Sequence, residues 1–70
     1  MLFRSSGHVV DERDAELLKL LTEGLTNREI AERLGEEEQA VSRRLGELFA
    51  RIGALSRSEA TAFAFRERVV

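Results

Sequence analysis

Three glycines divide this chain into helices before any other feature is considered. Gly24, Gly35 and Gly53 each close a stretch whose apolar residues recur at helical spacing. Glycine is the residue that most easily takes the left-handed conformation that ends a helix. Helix-starting signals stand between them. Asp11 can accept from the first free backbone N–H groups, and Asp14 adds negative charge to the positive first turn. Thr26-Asn27-Arg28-Glu29 is a capping box, with Leu25 before it and Ile30 after it placed to form a hydrophobic staple. Ser56-Arg57-Ser58-Glu59 is a second box. Proline is absent, and no strand pattern, internal repeat or low-complexity run competes with this alternation of starts and stops. The expected fold class is all-α, a compact four-helix domain with short turns.

The apolar residues define the faces. Leu17, Leu18, Leu20 and Leu21 make a wide stripe, so helix one is expected from about Glu12 to Thr22. Ile30, Ala31 and Leu34 form the buried side of a short helix two, where the small Ala31 suits a close helix crossing. Val41, Leu45, Leu48, Phe49 and Ile52 lie on one face of helix three, the longest, and Ser42, Arg43, Gly46, Glu47 and Ala50 lie on the other. Helix four carries Ala60, Phe63, Ala64 and Phe65. Its two rings point about 200° apart, which assigns Phe63 to the core and Phe65 to the outer side. Residues 1–9 have no periodicity and contain "SSG", so they read as a flexible arm before a domain over residues 10–70.

At 70 residues, one small core is all that this chain can build, and a deep substrate pocket is not expected. No cysteine is present, which removes disulfides, thiolate zinc sites and thiol chemistry together. His8 has no partner of metal-ligand spacing, and Ser5, Ser6 and Ser56 have no candidate base. Neither catalysis, nor a metal, nor a cofactor is expected. No apolar run approaches the ~20 residues of a membrane span, and "MLFRSSGHVV" lacks the apolar centre of a secretory signal. A cytoplasmic location is the expectation. The formal net charge is −2 and the pI near 5.4. That is acidic for a nucleic-acid binder, although only the docking face must be positive.

Helices two and three, joined by about three residues around Gly35, have the spacing of a helix-turn-helix. In such a unit the first helix braces on the phosphate backbone while the second enters the major groove. Each cation has a plainer alternative. Arg28 is placed to pair with Glu32 at i,i+4, Arg43 to pair with Glu47, and Arg44 to lie over the edge of the core. For Arg43 and Arg44, position on the second helix favours a nucleic-acid role.

The whole segment from Val10 to Val70 resembles the LuxR/GerE-type DNA-binding domain of bacterial transcription regulators. "VDERDAELLKLLTEGLTNREIAERL" is similar to the family's opening, and "VSRRLGELFARIGALSRSEA" to its recognition helix, glycine stop and fourth-helix start. The order of these motifs is more specific than any one of them. The length is similar to that of members with no receiver or ligand-sensing domain. The resemblance implies that Thr26, Asn27 and Arg28 contact phosphates from the start of helix two. It places Ser42, Arg43 and Arg44 at exposed recognition-helix positions, and makes helix four the dimerisation helix. On that reading, Gln39, Ser42, Arg43 and Gly46 face the bases, with Arg43 suited to a bidentate guanine contact. Thr61, Ala62 and Phe65 would form a homodimer interface. A pseudo-palindromic duplex, RNA polymerase and a place at the bacterial nucleoid are the further implied associations.

Departures from the family pattern gather at one point. Glu36 and Glu37 replace an apolar residue followed by Ser or Thr, Ala40 replaces Thr, and Ser42 replaces Lys. Over residues 36–52 the acids are Glu36, Glu37, Glu38 and Glu47 and the bases Arg43, Arg44 and Arg51, so 3 − 4 = −1. The fold is also affected. Glu36 stands where an apolar residue would staple against Val41, and Glu37 stands at the N-cap, which favours short side chains. The alternative function is therefore a protein-interaction or inhibitory dimerisation module on the same fold, with weak or no DNA binding.

Overall fold

Helix boundaries coincide with the capping residues. A computed structural model describes residues 10–69; the arm expected over residues 1–9, with Ser5, Ser6 and His8, lies outside the described residues. Four helices follow in order: α1 (Glu12–Thr22), α2 (Asn27–Leu34), α3 (Glu38–Ile52) and α4 (Arg57–Arg66). Among the described residues there is no strand.

At the head of α1 the two aspartates cap reciprocally. Asp14 N–H donates to Asp11 Oδ1 at 2.9 Å, and Asp11 N–H donates to Asp14 Oδ2 at 3.3 Å. Asp14 is thus a member of the cap as well as a charge in the first turn. Thr26 and Glu29 do the same for α2, at 3.1 and 2.8 Å. In α4 the box is displaced by one residue. Ser56 Oγ accepts from Glu59 N–H at 3.2 Å, but the Glu59 carboxylate takes Leu55 N–H at 2.7 Å. Glu37 at the head of α3 makes no side-chain capping bond, as expected from the length of its side chain.

Between α2 and α3, Gly35 takes φ +70°, and Glu36 N–H turns back to Ala31 O at 2.9 Å. That wrap satisfies a carbonyl at the end of α2 and redirects the chain within three residues, Gly35 to Glu37. It positions α3 across α2, the most extensive helix pair in the molecule; α1 against α4 is the next.

Leu17, Leu18, Ile30, Val41 and Leu48 are the largest fully buried side chains, joined by Val10, Leu20, Leu21, Ala31 and Leu45. Ala60 and Ala64, one helical turn apart, are also fully buried, so α4 meets the core through its smallest side chains. Phe63 packs half-buried against this cluster while Phe65 is 61% exposed, the division expected from their spacing. Phe49 and Ile52, expected on the core face of α3, pack half-buried against the same cluster.

A polar tie closes the unit. Arg51 Nη1, near the end of α3, lies 2.9 Å from Asp14 Oδ2, and Asp14 is only 7% exposed. Their hydrogen bond raises the pKa of Arg51 above its ordinary value. A buried carboxylate in an apolar setting is destabilising unless paired and hydrogen-bonded, and Asp14 is both. Among the described residues no buried side-chain nitrogen or oxygen lacks a partner.

Candidate nucleic-acid interface

Residues 39, 42, 43 and 46 fall at i, i+3, i+4 and i+7 of α3, which is one side of a helix. Gln39, Ser42, Arg43 and Gly46 are all exposed, and Val41, Leu45 and Leu48 hold the opposite side in the core. The side of α3 expected to face DNA is therefore a continuous exposed stripe set by the packing of the helix.

Its members differ in what engages them. Arg43 has no hydrogen bond or ion pair among the described residues, the Glu47 pairing included. A Cβ built on Gly46 would meet no atom within 4 Å, so nothing inside the domain requires glycine there. Arg44 is committed elsewhere: its Nη1 lies 2.7 and 2.8 Å from the two carboxylate oxygens of Glu36, with both side chains about two-thirds buried. The carboxylate expected to be a failed staple is instead half of an ion pair across the turn.

At the start of α2, Thr26 and Arg28 are exposed. Thr26 Oγ1 accepts from Glu29 N–H, leaving its own hydrogen available to an outside acceptor. Arg28 Nε is 3.9 Å from Glu32, with side chains 78% and 72% exposed. A contact so long and so solvated holds the guanidinium weakly. Asn27 is drawn inward. Its Nδ2 donates to Ser42 Oγ at 3.0 Å, and its Oδ1 accepts from Arg57 Nη1 at 2.7 Å. Arg57 Nη2 also donates to Leu25 O at 2.6 Å. Two residues expected to act separately on DNA, Asn27 and Ser42, are thus joined to each other and to the first residue of α4.

In the sequence Arg57 stands only at the start of helix four. It reaches Asn27 across 30 positions, and no local spacing announces such a contact. The same is true of Glu36 and Arg44, which are paired through the geometry of the Gly35 turn. With Arg51 on Asp14 and Arg44 on Glu36, Arg43 is the cation of α3 without an ionic partner among the described residues, beside Glu37, Glu38 and Glu47.

On α4, Ala62 and Phe65 are exposed and Thr61 is half-buried. The Arg66 guanidinium sits 5.7 Å from the centre of the Phe63 ring, within reach of a cation–π attraction. Among the described residues no group of His, Cys, Asp or Glu has an arrangement that could hold a metal ion. Among those residues, too, no helix is long and apolar enough to cross a membrane.

Residues 9–64 match the family model described as GerE, bacterial regulatory proteins of the luxR family. One relative, the DNA-binding transcriptional activator DevR/DosR of Mycobacterium tuberculosis, is 40% identical over 53 residues, which cover 76% of this chain and 24% of that protein. This chain therefore corresponds to about a quarter of the relative's length. No solved structure matches it.

Proposed function

This chain belongs to the luxR family of bacterial regulatory proteins, and from that premise we propose that it regulates transcription by binding duplex DNA through α2 and α3 as a symmetric dimer. The observation that carries the reading is the exposed stripe of Gln39, Ser42, Arg43 and Gly46, with an unengaged guanidinium at its centre. A helix lying in the major groove needs such a face, and a paired guanine contact by arginine supplies about 1–3 kcal/mol of discrimination. Thr26 and Arg28 flank the stripe as phosphate contacts, supported by their exposure and weak internal ties. A dimer through Thr61, Ala62 and Phe65 of α4 would set two such faces about one DNA turn apart, over a pseudo-palindromic site. On this reading the protein acts at the bacterial nucleoid and has RNA polymerase as a further partner.

The commitment of Arg44 to Glu36 and of Arg51 to Asp14 favours the second reading, a protein-interaction or inhibitory dimerisation module. One experiment separates the two: retention on duplex DNA as salt is raised. For a DNA regulator, Arg43→Ala relaxes sequence preference, whereas Arg28→Ala weakens all sequences alike and lowers the salt slope by about one. An interaction module shows no salt-dependent retention, and neither substitution changes it. Sedimentation with and without duplex tests the α4 dimer, and Phe65→Glu should abolish any self-association.

A further inference from the structure

The hydrogen bonds running from α4 to α3 have a fixed chemical direction. A guanidinium only donates, so the Asn27 atom 2.7 Å from Arg57 Nη1 must be the amide oxygen. That turns the amide nitrogen, also only a donor, toward Ser42 Oγ at 3.0 Å. Ser42 Oγ therefore accepts on its inner side, and its own hydrogen has no acceptor among the described residues. A serine hydroxyl has one O–H to donate and two lone pairs to accept. Here one lone pair is taken by Asn27, and the O–H is turned away from it.

We propose that Arg57 is a positioning residue for the DNA face: by fixing the amide of Asn27 it presents Ser42 outward as a hydrogen-bond donor. This rests on the DNA-binding reading above. The outward O–H of Ser42 suits an acceptor, either a phosphate oxygen or an acceptor atom on a base edge, such as N7 or O6 of guanine. The second bond from Arg57, to Leu25 O at 2.6 Å, holds the guanidinium in place, so lysine cannot make both contacts in the same geometry. The arrangement also ties the first residue of α4 to the recognition face through a single side chain.

Asn27→Asp tests the direction of the chain. Aspartate keeps an oxygen for Arg57 and suits the first turn of α2, so the domain stays folded. Its second oxygen cannot donate, and Ser42 must then turn its hydrogen inward. The probe is a pool of duplexes randomised over two adjacent half-sites, offered to the 70-residue chain at low salt. Asn27→Asp is expected to weaken binding by about tenfold more when Ser42 is present than in a Ser42→Ala background. The repulsion of phosphate by the added charge is common to both backgrounds and cancels. Equal losses in the two backgrounds would overturn the inference.

A second readout needs no DNA. In the free protein the Asn27 side-chain amide protons are expected as distinct, slowly exchanging NMR signals, which collapse in Arg57→Lys while melting remains close to wild type. Signals unchanged in Arg57→Lys would overturn the positioning role. In the DNA experiment, loss of affinity in Ser42→Ala confined to some sequences identifies a base acceptor, and a uniform loss identifies phosphate. Failure of the wild-type protein to bind duplex at all overturns the DNA reading and the role of Ser42 with it. Binding without coupling overturns this inference alone.

Discussion

Arg44 Nη1 sits between the two carboxylate oxygens of Glu36, 2.7 and 2.8 Å away, across the turn that joins the two helices of the candidate interface. The pair holds a cation back from the face to which its position on α3 would assign it. Glu36→Gln keeps the shape and removes the charge. Arg44 is then expected to reach a phosphate, so affinity for duplex rises at low salt and the salt slope steepens by about one. Stability should change by less than about 1 kcal/mol, the usual range for a partly exposed pair. Affinity titrations at several salt concentrations measure this, and an unchanged slope would mean that Arg44 never meets phosphate.

Glu37→Ser should stabilise the fold. The backbone at residue 37 is already in the extended N-cap conformation, but its side chain caps nothing. A serine oxygen there reaches the free amides of the first turn, for a gain of about 1 kcal/mol. In a domain of this size that corresponds to roughly 4–8 °C in melting temperature. Adding Glu36→Leu is expected to contribute little further, because any staple to Val41 comes with the loss of Arg44's partner.

Gly46→Ala separates folding from binding. Glycine in a helix interior is less stable than alanine by roughly 0.5–1 kcal/mol, and the added methyl meets open space. Thermal melts should show the gain. If the stripe lies against DNA, the same methyl occupies the closest approach of α3 to its ligand, and duplex affinity should fall. Tighter or unchanged binding would place this part of α3 away from the duplex.

Acid should weaken the head of α1 in a defined direction. The pKa of Asp11 is lowered, chiefly by the Asp14 backbone N–H that its carboxylate accepts. A depressed carboxyl contributes stability that is fully present above its unfolded value, about 3.9, and is lost as pH falls through the folded value. Asn caps as well as Asp but does not titrate. The stability advantage of wild type over Asp11→Asn is therefore expected near neutral pH, should begin to fall below about pH 4, and should be lost only as pH passes below the depressed folded value. Urea unfolding across that range measures the difference, and a constant difference would show that Asp11 is not its source.

The features readable in the sequence were those whose physics is local. Asp11, Thr26 and Ser56 mark helix starts through bonds spanning three residues, and helical spacing separates Val41, Leu45 and Leu48 from the outer stripe of α3. Phe49 and Ile52 pack only half-buried at the margin of the core, because periodicity gives the face and not the depth. Arg51 with Asp14, Arg44 with Glu36 and Arg57 with Asn27 depend on how whole helices cross. Each of these arginines was free to be a surface cation until the turns and packing placed an oxygen beside it. The charge balance of α3 was countable from the sequence, whereas the engagement of each charge was not.

The two ends of α3 are built to different standards. At its C-terminal end Gly53 adopts a left-handed cap, Ala54 N–H bonds back to Phe49 O at 2.9 Å, and Arg51 is moored to Asp14. At the other end Glu37 leaves the first turn without a side-chain cap. Thermal fraying should consequently run in one direction, with amide exchange fastest around Gln39 and Ala40 and slowest towards Leu48. The helix should then act as a rod clamped at its far end, whose entering tip opens before the rest. A partner meeting that tip would have to supply part of its free energy of contact to hold it closed.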